Sequence, residues 1–226
     1  MEALAVSAGV TAAVTAASAG LPDRYVATGV GLLFLGATWA LVWRADDARV
    51  ERSGLALGGL VLPQTIDRAR LARSIGTALA WSLALSAITF GPFFLGWRVF
   101  WHPHGAFALH LSPIDLLNQV FGQLVIIALP EEAFYRGYLQ SRLDDAFPGR
   151  IRLLGAEIGP SLVVGSMIFA LGHFATIHEP ARLAVFFPSL VFGWLRARTG
   201  GIGAGVAFHA SCNVFSEMLG RGYRLY

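Results

Sequence analysis

The stretch Pro130-Glu131-Glu132-Ala133-Phe134-Tyr135-Arg136-Gly137-Tyr138-Leu139-Gln140 closes an apolar run that covers residues 114–140. Two adjacent acids and an arginine in such a run decide how the chain is read. A charged side chain at the centre of a membrane-spanning helix costs roughly 2.5–3.5 kcal/mol on insertion scales, so such groups face one another or a water-filled cavity and mark a functional site. Two further strings repeat the pattern in later apolar runs: Phe169-Ala170-Leu171-Gly172-His173 and His209-Ala210-Ser211-Cys212-Asn213. Acids, imidazoles and an amide therefore recur in three separate segments, which points to chemistry inside a bilayer.

Composition leads to the same place. Of the 226 residues, 55% are hydrophobic and 14% charged, with a mean hydropathy of +0.60; soluble domains carry about 25% charged residues. The expected fold is all-α, a polytopic transmembrane helix bundle. Apolar runs near spanning length fall at 3–20, 25–43, 76–97, 114–140, 161–178, 183–198 and 201–219. Measured against roughly 20 residues per span, they predict seven spanning helices in a single integral-membrane domain over residues 1–226. The first run, rich in Ala, Ser, Thr and Gly, contributes little transfer energy and has a surface hairpin as its alternative. Leu55 to Leu62 is too short to span.

All seventeen basic residues are arginine, and a net charge of +3 gives no case for nucleic acid as a partner. Six of them (Arg44, Arg49, Arg52, Arg68, Arg70 and Arg73) fall in residues 44–75, which the positive-inside rule places in the cytoplasm. Alternation then puts Arg142, Arg150, Arg152, Arg196 and Arg198 on that side and residues 98–113 outside. Arg221 and Arg224 are the exception, falling outside. Glu2 stands where a secretory signal peptide would carry positive charge, so the first run is expected to be retained. Trp43, Trp97, Trp101 and Trp194 lie near expected helix ends, as an aromatic belt would. The lone Cys212 excludes an intramolecular disulfide or a cysteine-rich metal site and reads as a packing residue.

Within the polar strings, spacing divides the side chains. Pro130 either kinks its helix or opens a new one. Glu132 and Arg136 are four apart and share a helical face, whereas Glu131 points about 100° away. The plainer role for these three is a structural ion-pair network. Phe169 and His173 are also four apart, which stacks a ring one turn from the imidazole, although a lone histidine on an apolar face is more often a core residue. His178, beside Glu179 and Pro180, reads as a loop residue. His209 and Asn213, again four apart, offer two donors aimed at one point, with an interhelical hydrogen bond as the plainer role.

Together, Glu131-Glu132-xxx-Arg136, Phe169-xxx-His173 and His209-xxx-Asn213 resemble the three motifs of the CPBP family, the CAAX-protease and bacteriocin-processing (Abi) intramembrane endopeptidases. The resemblance covers residues 114–219. It implies that Glu131 with His173 activates a water for attack on a peptide carbonyl, and that His209 and Asn213 stabilise the oxyanion. Glu132, Arg136 and Phe169 would support the site. It also implies a membrane-embedded protein or peptide substrate and no metal or other cofactor. Eukaryotic members cleave after a prenylated cysteine. Residues 130–140 are similar to bacterial members, including the myxosortase-like branch proposed to process C-terminal sorting signals, which implies a bacterial inner membrane. The site is expected to open toward the cytoplasmic half of the bilayer.

Two other readings compete. His173, His209 and Glu131 together supply the ligand types of an open zinc site, although the chain lacks a His-Glu-xx-His helix. A non-catalytic scaffold or transporter would use the same polar residues to bind a partner or ion. Other intramembrane protease chemistries find no support, since no Gly-x-Ser-x-Gly elbow and no pair of helix-borne aspartates occurs.

Overall fold

In hydrocarbon every backbone polar group needs an internal partner, and a helix supplies one within its own segment. Each apolar run accordingly forms a helix in the computed structural model, which describes residues 1–225. The helices are α1 (Glu2–Gly20), α2 (Asp23–Trp43), the short α3 (Asp47–Arg52), α4 (Arg68–Trp101), α5 (Pro113–Ala146), α6 (Pro160–Thr176), α7 (Phe186–Thr199) and α8 (Gly203–Gly222). Of these, α1, α2, α4 and α5 are long and apolar enough to cross a membrane, and α6 is a shorter apolar helix. The chain is an integral membrane protein. The seven expected runs all fold as helices, although four of them carry the length and apolarity of a span.

Three local features sharpen the sequence reading. α1 is a helix packed on α2 and α6, not a surface hairpin; its small residues permit close approach. α5 runs straight through Pro130 without restarting, flanked by π-helical turns at Gly122–Ala128 and Ala133–Gln140, whose wider hydrogen bonding absorbs the missing N–H. Leu55 to Leu62 does not span; Leu55 is fully buried against Gly137, where an added Cβ would stand 2.6 Å from its side chain. One element lay outside the all-α expectation. Between α5 and α6, Ile151–Leu153 and Ala156–Ile158 form a small antiparallel hairpin with Ile151 opposite Ile158.

Contacts between helix ends reproduce the alternation expected from arginine placement. Arg142 reaches Glu2 at 3.3 Å, and Arg196 donates to the carbonyls of Arg52 and Ser53, gathering the basic loops at one end. At the other end the amide of Ala108 donates to the carbonyl of Gly222 at 2.9 Å. The exceptional Arg221 sits there paired with Glu217 at 2.6 Å, which offsets its charge.

α6 and α7 flank only one half of α5. Ser161, at the start of α6, donates to Asp144, while Arg136 and Gln140 of α5 bond to Ser189 and Gly193 of α7. α6 ends at Thr176, and a 3₁₀ turn at Pro180–Val185 leads into α7. Burial follows this packing. Every residue from 132 to 140 is buried, whereas none from 113 to 127 is.

Candidate functional site

Glu132 anchors the site. It is 0% exposed, and a buried carboxylate needs charged or hydrogen-bonding partners to offset its lost hydration. Its Oε2 lies 3.3 Å from Arg136 Nε, one turn along α5, and its Oε1 lies 3.0 Å from Nδ1 of His209 on α8. Arg136 extends the network, donating to Ser189 Oγ at 2.9 Å. The Arg136 guanidinium also lies 4.6 Å from the centroid of the Phe169 ring, close enough for a cation–π attraction. One further turn along, Gln140 donates to the carbonyl of Gly193 at 3.1 Å. The expected pairing of Glu132 with Arg136 is present, and it is one segment of a longer polar ladder down α5.

Glu131 points elsewhere, as the 100° offset between neighbours requires. Its Oε2 is buried and has no hydrogen-bond partner among the described residues. Two imidazoles face that oxygen: Nε2 of His173 at 4.0 Å and Nε2 of His209 at 3.9 Å. Both rings are held from behind. His173 Nδ1 lies 3.0 Å from the carbonyl of Phe169; a carbonyl only accepts, so Nδ1 carries the hydrogen and Nε2 presents its lone pair when the ring is neutral. His209 is held through Nδ1 by Glu132 and stacks on Phe192 at 4.6 Å with an 11° interplanar angle.

Asn213 stands one turn beyond His209 on α8, where its Nδ2 donates to Gln123 Oε1 of α5 at 2.9 Å. His173 and His209 thus converge within 4.0 Å of one Glu131 oxygen, and Asn213 flanks them toward the Gly222 end of α8. His178 lies beyond α6 and is exposed, as a loop residue. Ser189, Phe192, Gln123 and Gln140 were not singled out in the sequence. Gln140 continues the four-residue spacing of Glu132 and Arg136, a signal that was there to be read; Gln123, Ser189, Gly193 and Phe192 take their roles from helix packing.

Toward the end that gathers the basic loops, where the opening was expected, the bundle is packed. Residues 132–140, α6 and α7 fill that side, because small residues let the helices close up. An added Cβ at Gly205 would lie 3.0 Å from Glu132 Oε2. The side chains of Glu131, His173 and His209 supply zinc-type donors. Among the described residues, however, no group of three or more His, Cys, Asp or Glu is arranged to hold a metal ion.

Residues 113–215 match the model of a family described as Rce1-like, type II CAAX prenyl endopeptidase Rce1-like. The matched segment holds all three polar strings and nearly coincides with the 114–219 core read from the motifs. The chain matches no curated protein and no solved structure.

Proposed function

Residues 113–215 belong to the Rce1-like family of type II CAAX prenyl endopeptidases, and from that premise we propose that this protein is a glutamate-dependent intramembrane endopeptidase. Its substrate is a membrane-anchored protein, or one that carries a C-terminal sorting segment, in a bacterial inner membrane. One observation carries the reading: the buried Oε2 of Glu131 lacks a hydrogen-bond partner and faces two imidazole Nε2 atoms at 4.0 and 3.9 Å. Gaps of that size exceed a direct hydrogen bond and suit a shared water.

The chemistry follows from the donors present. Glu131 takes a proton from the water as general base, while the lone pair of His173 Nε2 orients it. The hydroxide formed attacks the scissile carbonyl carbon, and negative charge develops on the carbonyl oxygen. With hydrogen on both ring nitrogens, His209 gives Nδ1–H to Glu132. In that form Nε2–H donates toward the oxyanion, with the Nδ2 hydrogen of Asn213 not engaged by Gln123 as a second donor. The proton held by Glu131 then passes to the departing amine as the C–N bond breaks, and the carboxylate is restored.

The test compares membrane and secreted proteomes of a deletion strain and a Glu131→Ala strain. A processed fragment that disappears in both identifies the substrate and ties its cleavage to this carboxylate. Normal processing in the Glu131→Ala strain would refute the assignment.

A further inference from the structure

A second polar feature lies outside the Glu131 cluster. A cavity of about 670 Å³ opens at the noncytoplasmic end of the bundle, between α2, α5, α8 and the segment before α5. Its walls include Asn118, Gln119, Gln123, Glu217 and Arg221, and Ile127 lies toward its inner end. Polar groups are costly at this depth of an apolar helix unless something satisfies them. Glu217 and Arg221 are paired with each other at 2.6 Å, and Gln123 accepts from Asn213. Gln119 is different: its carboxamide nitrogen and oxygen are both buried, and neither has a hydrogen-bond partner among the described residues.

We propose that this cavity is a subsite for an extended peptide segment of the substrate, with the Gln119 carboxamide pairing with its backbone. A carboxamide carries the same donor and acceptor as a peptide bond, so it can satisfy both groups of one amide. His110 and Asp115 also line the cavity; Asp115 accepts from Ser112 Oγ at 2.6 Å and Glu217 pairs with Arg221, so the Gln119 carboxamide is the wall group whose donor and acceptor both lack a partner among the described residues. The proposal rests on the endopeptidase reading, because it supplies the rest of the chain whose scissile bond meets Glu131.

Geometry connects the two places. Residues 119, 123, 127 and 131 recur every fourth position on α5, and the wider π turns at Gly122–Ala128 offset the drift that such a stripe has on a pure α-helix. Gln123, at the cavity, is bonded to Asn213, one turn from His209. At about 1.5 Å rise per residue, Gln119 lies roughly 18 Å along the helix from Glu131. An extended peptide advances about 3.3 Å per residue, so five or six substrate residues separate the amide held by Gln119 from the scissile bond. Along this stripe Gln119, Gln123, Ile127 and Glu131 are all half-buried, in contrast with the fully buried run at 132–140.

Cysteine labelling tests the subsite without a known substrate. In a Cys212→Ala background, Asn118→Cys should react with a membrane-impermeant maleimide on intact cells, and Asp145→Cys only after permeabilisation. The reverse pattern would overturn the placement. In purified full-length protein, a saturating pool of random dodecapeptides should slow labelling of Asn118→Cys at least threefold. Adding Gln119→Leu should abolish that protection, and adding Glu131→Ala should preserve it. No protection by the pool, or equal protection with Gln119→Leu, would overturn the subsite. Protection that persists while Glu131→Ala still processes substrate would remove the catalytic assignment and leave the peptide site standing.

Discussion

Glu132 Oε1 and His209 Nδ1 meet at 3.0 Å across the α5–α8 interface, and this contact turns the far nitrogen of His209 toward Glu131. Adjacent acids on one helix therefore do different jobs. One is spent on holding a ring and an arginine; the other is left facing the space between two rings.

Removing Glu132 should unfold the site. Glu132→Ala strands Arg136, which is 3% exposed, without its carboxylate, and breaking a buried ion pair from one side costs about 3–5 kcal/mol. Thermal unfolding in detergent should fall sharply for Glu132→Ala and for Arg136→Ala. Wild-type melting of both variants would show that the network is not a source of stability.

Glu131→Gln should behave in the opposite way. No ion pair of stabilising length ties Glu131 down, so melting should stay close to wild type while processing falls by about 10²-fold or more, the scale of a lost general base. The measurement pairs the melt with a processing assay. A variant that loses stability in step with activity would place Glu131 in the structural network instead.

Gly205 is constrained by Glu132. An alanine Cβ there would meet Glu132 Oε2 at 3.0 Å and the Phe192 carbonyl at 3.5 Å, and overpacking of this kind costs about 1–3 kcal/mol. Gly205→Ala should lower the melting temperature and reduce processing together, whereas Gly36→Ala, where a Cβ would meet nothing within 4 Å, should leave both unchanged.

The metal question has a direct answer in solution. Processing by purified protein should survive a strong chelator, and elemental analysis should find no stoichiometric zinc. Zinc at one per chain with chelator-sensitive activity would install His173, His209 and Glu131 as ligands.

Acid should loosen the start of α4. Asp67 accepts from the amides of Arg70 and Ala69, and the hydrogen bond from Arg70 leads the causes that hold its carboxyl below the ordinary value of 3.8. A lowered folded pKa means that this stabilisation is fully present above 3.8 and is lost as pH falls through the folded value. Asp67→Asn keeps an acceptor at the cap without titrating. Amide exchange in the first turn of α4 should accelerate in acid for wild type and stay flat for Asp67→Asn; identical profiles would remove Asp67 as the cause.

Membrane residence, the run of helices and the three polar strings were legible in residue order alone. Long apolar runs have one good solution in hydrocarbon, and polar groups inside them are expensive enough to stand out. The four-residue spacing of Glu132 with Arg136 also followed from helix geometry. What spacing could not supply was the partner of each group across helices. That Glu132 holds His209, that Asn213 bonds Gln123, and that Glu131 is left facing two imidazoles depend on how α5, α6 and α8 dock. The lower burial of α5 before residue 128 depends likewise on α6 stopping at Thr176, level with the site. Local sequence sets which side chains a helix presents, but close packing between helices, permitted by residues such as Gly205 and Gly193, decides which of them meet.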